Sequence, residues 1–171
     1  MVQSNLKKTN LKFVQHKEFK ESFPWIGGDL QTIRDSFCID LNLHKNSEKI
    51  LVPINAINST QFNGEFLLGF LELPEQDKIP KGLILITHGL GGSTKRYGLR
   101  RIANKFLKDG FATFKLNLRG AGSGRYLSSS NYSAKCSDDI ISAVNFLRNN
   151  YYSKLSYNGK VLPFYAVGLS L

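Results

Sequence analysis

Cysteine is nearly absent from this chain of 171 residues, which has only Cys38 and Cys136. The two lie far apart and match no zinc-binding or redox spacing, so both read as ordinary thiols of a reducing compartment, and no metal is expected. Long apolar runs are missing too: no stretch approaches the roughly 18 residues a membrane span needs. Residues 1–20 carry lysines with no continuous apolar segment behind them, so they read as a polar N-terminal arm and not as a secretory signal. These absences predict a soluble, cytoplasmic protein with no integral membrane segment. Acidic residues are scarce, 13 against 23 Lys and Arg, for a net charge of +10. Such an excess invites nucleic acid or another polyanion as partner. The cations are scattered, however. The densest group (Lys95, Arg96, Arg100, Arg101, Lys105, Lys108) falls on one expected helix with an apolar opposite face, as a solvated helix face would. No nucleic-acid-binding signature and no internal repeat is present, and the sequence names no partner chain.

The hydrophobic fraction, 42%, is enough to bury a core, and the length suits one domain, taken here as residues 21–171. Residues 37–43 alternate apolar and polar (Phe37, Ile39, Leu41, Leu43), which predicts a half-buried strand. A second apolar stretch runs from Ile50 to Ile57. Asn63-Gly64 stands between Phe62 and the run from Phe66 to Leu71, a two-residue hairpin signal. The chain therefore opens with antiparallel strands, and Pro74 to Gly82 is a polar connector.

Strand and helix then alternate. Leu83 to Ile86 is a short apolar strand, continuous as expected where both sheet faces are covered. Leu99, Ile102, Ala103, Phe106 and Leu107 recur at helical spacing, and Gly110 is placed to cap the helix end. Phe111 to Leu116 reads as the next strand. Asp138 and Asp139 favour a helix N-terminus, with Ile140, Ile141, Val144 and Leu147 as its buried face. Residues 163–167 form the last strand and deliver Ser170. This alternation predicts a parallel α/β sheet with crossover helices.

Each parallel strand runs into a glycine-rich turn, and the functional crevice of open α/β sheets lies at those carboxyl ends. A Walker phosphate loop starting at Gly89 fails at Thr94 and at Arg96. A dinucleotide fingerprint fails because Gly120, Gly122 and Gly124 are followed by Arg125 where its third glycine belongs. The end of the chain fits better. Gly168-Leu169-Ser170-Leu171 begins a G-x-S-x-G nucleophile elbow, directly after the apolar run Phe164 to Val167. In that chemistry the oxyanion hole takes one backbone N–H from the loop after the third strand and one from the residue after the serine. Leu90, in His88-Gly89-Leu90-Gly91-Gly92, is then the first donor and Leu171 the second. His88 precedes the serine, whereas triad order in this fold is serine, acid, histidine, so His88 reads as shaping its loop.

Taken in order, Pro24 to Ile33, His88 to Gly92, Asn117 to Ser123 and Gly168 to Leu171 resemble the YheT-like branch of the α/β-hydrolases, the AB hydrolase 4 family, over roughly residues 20–171. Asp29 stands where that family usually has histidine, and Ala121 where cysteine is common. The resemblance implies the α/β-hydrolase fold, here incomplete: antiparallel N-terminal strands, then parallel strands with crossover helices, ending after the nucleophile strand. It also implies a serine carboxylester hydrolase that acts on short-chain or acylglycerol-type esters without a cofactor. Ser170 is the nucleophile, with Leu90 and Leu171 in the oxyanion hole. The family's triad acid and histidine follow the serine and find no counterpart before Leu171, so the chain as it stands is expected to be nearly inactive. Two other classes stay open: a non-catalytic truncated remnant, and a phosphate- or nucleotide-binding α/β protein using the Gly89 or Gly120 turns.

Overall fold

The computed structural model describes residues 18–37, 47–55, 64–74, 79–133 and 136–169. They fall into two compact units, one ending at Phe37 and the other following it. In the first, Ser22 and Trp25 form an isolated antiparallel bridge. Helix α1 (Gly28–Phe37) follows, with Asp29 in its first turn and Arg34 in its last, each complementing the helix dipole. Phe37 closes this helix, so the strand expected over 37–43 does not begin there. Its other residues, 38–43, lie outside the described ones.

The second unit is built on a five-stranded sheet. Strands β1 (Glu48–Ile54) and β2 (Glu65–Glu72) pair antiparallel, from Glu48 opposite Leu71 to Ile54 opposite Glu65. With Ile54 opposite Glu65, the two strands are not joined by the expected two-residue hairpin at Asn63-Gly64. Gly64 instead leads into β2 with φ +93°, while Phe62 and Asn63 lie outside the described residues. Along β1, Ile50, Val52 and Ile54 are buried and Leu51 is exposed, the alternation of a sheet with one face on a core.

Strand β3 (Leu83–Thr87), helix α2 (Tyr97–Lys108) and strand β4 (Ala112–Leu116) form the expected parallel unit, since β3 and β4 pair in parallel. The alternation of side chains along β3 separates two cores. Leu83 and Leu85 join a cluster with Phe114, Ala143 and Leu147, whereas Ile84 and Ile86 pack with Leu99 and Ala103 of α2. Gly110 ends α2 as expected: at φ +88° its N–H donates to Leu107 O, and the Phe111 N–H to Phe106 O. Those are the two hydrogen bonds of a Schellman cap.

Helix α3 (Asp138–Asn150) covers the other face of the sheet. Its buried positions are Asp139, Ala143 and Leu147, with Ile140 and Phe146 packed beside them. Ile141, expected in that face, is 60% exposed. The helix is rotated so that Asp139, not Ile141, faces inward. Strands β5 (Ser156–Tyr157) and β6 (Lys160–Val161) form a small hairpin closed by Asn158 (φ 49°) and Gly159 (φ 75°). Here an Asn-Gly pair does make the two-residue turn that the sequence reading placed at 63–64.

Strand β7 (Phe164–Gly168) pairs in parallel with β3, from Leu83 opposite Phe164 to Thr87 opposite Gly168. The sheet order is β1-β2-β4-β3-β7. The fold is therefore the expected one, an antiparallel start followed by parallel strands with a helix between them. No described helix is long and apolar enough to cross a membrane.

Candidate active site

The carboxyl ends of β3 and β4 open into a cavity of about 500 Å³, walled by the Gly89–Gly92 turn on one side and Leu118–Gly122 on the other. The first wall is a four-residue turn closed by the Gly92 N–H donating to Gly89 O at 2.9 Å. Gly91 holds its third position at φ +68°, where a side chain would be strained. Leu90 holds the second position, so its own N–H takes no part in the closure, and its side chain is 85% exposed.

His88 joins the two walls. It is buried at the end of β3, and its Nε2 accepts the Leu118 N–H at 3.1 Å. Its Nδ1 lies 2.8 Å from Gly89 O. A carbonyl only accepts, so the ring proton sits on Nδ1 and the Nε2 lone pair is taken by the opposite wall. An imidazole held on both sides fastens loops and cannot receive a proton from a nucleophile. That is the shaping role expected for a histidine ahead of the serine.

The glycines of the second wall are filled by the protein itself. A Cβ on Gly122, which has φ +54°, would stand 2.7 Å from Asn117 Oδ1 and 2.8 Å from Ser93 Cβ. On Gly120 it would stand 2.0 Å from Asn131 Oδ1. The buried Asn117 completes the joint by accepting the Thr94 N–H at 2.9 Å.

Beneath the cavity lies an ionic cluster. Arg119, which lines the cavity, is buried together with Glu65 of β2 and Asp139 of α3. Its Nε donates to Asp139 Oδ2 at 2.7 Å and its Nη2 to Asp139 Oδ1 at 2.9 Å, a bidentate pair. Nη1 pairs with Glu65 Oε2 and also donates to Ser130 Oγ, while Nη2 reaches the carbonyl oxygen of Asn55. Glu65 takes two further bonds, from the N–H and the Oγ of Ser129. Burial opposes ionisation of Glu65, but the Ser129 hydrogen bonds and the Arg119 charge outweigh it and hold its carboxyl below the usual range. Asp139 bonding, opposed by burial and aided by the charges of Asp139 and Glu65, raises Arg119 above its ordinary value.

The sequence reading explained Asp138 and Asp139 alike, as helix N-terminal charges. In the fold they differ: Asp138 is exposed, and Asp139 holds the guanidinium. Neither Arg119 nor Glu65 was singled out, because the partners of Arg119 lie 20 and 54 residues away and leave no local pattern.

Of the expected site residues, the structure places Leu90 on the cavity wall. Ser170 and Leu171 lie outside the described residues. The chain approaches them along the same sheet edge: Gly168 ends β7 opposite Thr87, and the Leu169 N–H donates to Thr87 O at 3.1 Å. His88 follows Thr87 directly. Among the described residues no group of three His, Cys, Asp or Glu could hold a metal ion.

No family model matches the chain. Solved structures do. An alpha-beta serine hydrolase homologue from Coxiella burnetii superposes with a TM-score of 0.50 at 17% identity, covering 71% of this chain and 50% of that one. XC6422 from Xanthomonas campestris, described as a serine hydrolase without a lid, gives 0.51 at 16% identity over 73% and 51%. Est1E from Butyrivibrio proteoclasticus, solved with ferulic acid bound, gives 0.50 at 20% identity over 70% and 41%. This chain thus spans about half the length of these structures, or less. At such identities the likeness speaks for the fold alone, which is the α/β-hydrolase fold.

Proposed function

We propose that the chain is the N-terminal part of a serine carboxylester hydrolase of the YheT-like branch, acting on short-chain or acylglycerol-type esters. One observation carries this reading above the others. The cavity, its glycine turn and the strand leading to Gly168-Leu169-Ser170 converge on one edge of the sheet. A serine following β7 would enter beside a turn whose second N–H is not used in closing it.

In this reading Ser170 Oγ attacks the acyl carbon of the ester, and the carbonyl π electrons move onto its oxygen. The Leu90 and Leu171 N–H groups stabilise that oxyanion. Backbone donors suit the task because they are fixed before the charge develops. The second wall, tied to His88 and Arg119, keeps the cavity from closing on itself. The serine proton needs an acceptor. His88 has both nitrogens engaged and Asp139 is committed to Arg119, so neither is that acceptor. By the family resemblance the base is a histidine following the serine, oriented by an acid.

The test is a polypeptide that continues past Leu171 to the length of the solved hydrolases, assayed with p-nitrophenyl butyrate and labelled with a fluorophosphonate. Turnover and labelling should both vanish in Ser170→Ala. Equal turnover in that variant would remove Ser170 from the mechanism. The 171-residue chain alone should be nearly inactive, since losing the histidine of a serine protease triad costs on the order of a millionfold.

A further inference from the structure

The mouth of the cavity carries side chains that catalysis does not use. Leu90 stands on the first wall and Tyr126 just after the one-turn helix Gly122–Gly124, and they are 85% and 93% exposed. Their loops touch, for a Cβ on Gly122 would meet Ser93. The same two segments of the chain carry three exposed cations: Lys95, Arg96 and Arg125. Arg125 lines the cavity, and Arg96 Nη2 reaches the Gly91 carbonyl oxygen at 3.5 Å.

Carboxylates are scarce on this ground. Residues 79–133, which supply both walls and α2, contain ten Lys and Arg and a single acid, Asp109. Asp109 follows the far end of α2, where it pairs with Lys105 at 2.7 Å. The acids beneath the cavity, Glu65 and Asp139, are buried on Arg119, and the exposed Asp138 stands at the start of α3. Among the described residues, the charged side chains that line the cavity itself, Arg119 and Arg125, are both cations.

An isolated cationic surface would fit any polyanion. A projecting leucine and tyrosine among the cations narrow the choice, because a nucleic acid backbone gains little from an aliphatic side chain. The head-group zone of a bilayer gains from both, since aromatic and aliphatic side chains enter it while Lys and Arg meet the phosphates. We propose that the cavity mouth docks on an anionic lipid surface, with Leu90 and Tyr126 entering the head-group layer and Lys95, Arg96 and Arg125 on its phosphates. The consequence for catalysis, that the ester is drawn from the lipid, rests on the esterase reading; the docking itself does not need turnover.

The experiment is sedimentation of the polypeptide that continues past Leu171 to the length of the solved hydrolases, with vesicles of phosphatidylcholine plus phosphatidylglycerol, and with phosphatidylcholine alone. Binding is expected to the anionic vesicles only and to weaken with salt. Arg125→Gln and Lys95→Gln should each lower the affinity about fivefold, the weight of one cation near an anionic leaflet. Tyr126→Ser should lower it by about tenfold without touching the fold, since the side chain is almost wholly in water. Lys160→Gln, at the opposite end of β7 from the cavity, should leave binding unchanged. Ser170→Ala should bind as the parent does, so a failed esterase assay and a failed docking assay are separable. Equal losses from Lys160→Gln and Arg125→Gln would reduce the effect to net charge and overturn the proposal. So would equal binding to neutral vesicles, or tight binding to duplex DNA without any to vesicles.

Discussion

Replacing Arg119 by alanine should cost more stability than any other single change at the cavity floor. Arg119, Glu65 and Asp139 have side-chain exposures of 2%, 1% and 6%. Removing the guanidinium leaves two buried carboxylates facing one another without a cation, and breaking a buried pair in this way costs about 3–5 kcal/mol. For a domain of this size that lowers the melting temperature by roughly 10 °C. Asp139→Asn should cost less, about 1.5–3 kcal/mol, the range of a charge-assisted hydrogen bond, because Arg119 then still faces Glu65 and the charges balance. Arg119→Lys should fall between the two: an ammonium keeps the charge but cannot span both oxygens of Asp139.

The acid limb supplies a second readout of the same variants. Glu65 is held below its reference value of 4.5. Its contribution is therefore fully present above about that pH and is lost as the pH falls through the lower, folded value. In Arg119→Ala one lowering influence disappears while burial, which raises, remains, so acid unfolding should begin at higher pH than in the parent. Thermal melts by far-UV circular dichroism across pH 3–8 would record both effects. Equal losses in Arg119→Ala and Asp139→Asn, or an unmoved acid limb, would refute the argument that Arg119 balances two charges.

Three further changes probe the walls. His88→Ala strands the buried Leu118 N–H, which should cost about 1–3 kcal/mol in a urea titration and loosen the second wall in hydrogen exchange. Gly122→Ala should destabilise by at least 1 kcal/mol, from a positive φ and from collision with Asn117 and Ser93, whereas Gly159→Ala, with open space around it, should show the φ penalty alone. Lys115→Met removes a buried ion pair, Lys115 to Glu72 at 2.7 Å, and should lower the melting temperature more than Lys154→Met, whose pair with Glu48 is half exposed.

What the sequence made legible was local. The strands from Leu83 and Phe164 follow from continuous apolar runs, and the end of α2 follows from Gly110, because each signal lies within a few residues of the structure it causes. The Asn-Gly signal is equally local but occurs twice, and only register decides that Asn158-Gly159 closes a hairpin while β2 pairs with residues ending at Ile54. Apolar periodicity misjudged α3 for a different reason. It counts Ile141 toward the core and Asp139 against it, whereas the bidentate bond to Arg119 turns Asp139 inward. Buried charges depend on partners far along the chain, and no window over one segment can contain them.

The glycine turns show where reading a site from sequence stops. Repeated glycines at strand ends say that something approaches the backbone closely, and phosphate, cofactor and protein satisfy that statement equally. The fold supplies the missing term. At Gly120 the approaching atom is Asn131 Oδ1, and at Gly122 it is Asn117 Oδ1 with Ser93 Cβ. These glycines let the loops close on each other, and His88 and Arg119 then fasten them from behind. What remains open is the space between the walls, so the chemistry of the cavity belongs to the groups at its edge, Leu90 and the end of β7 among them.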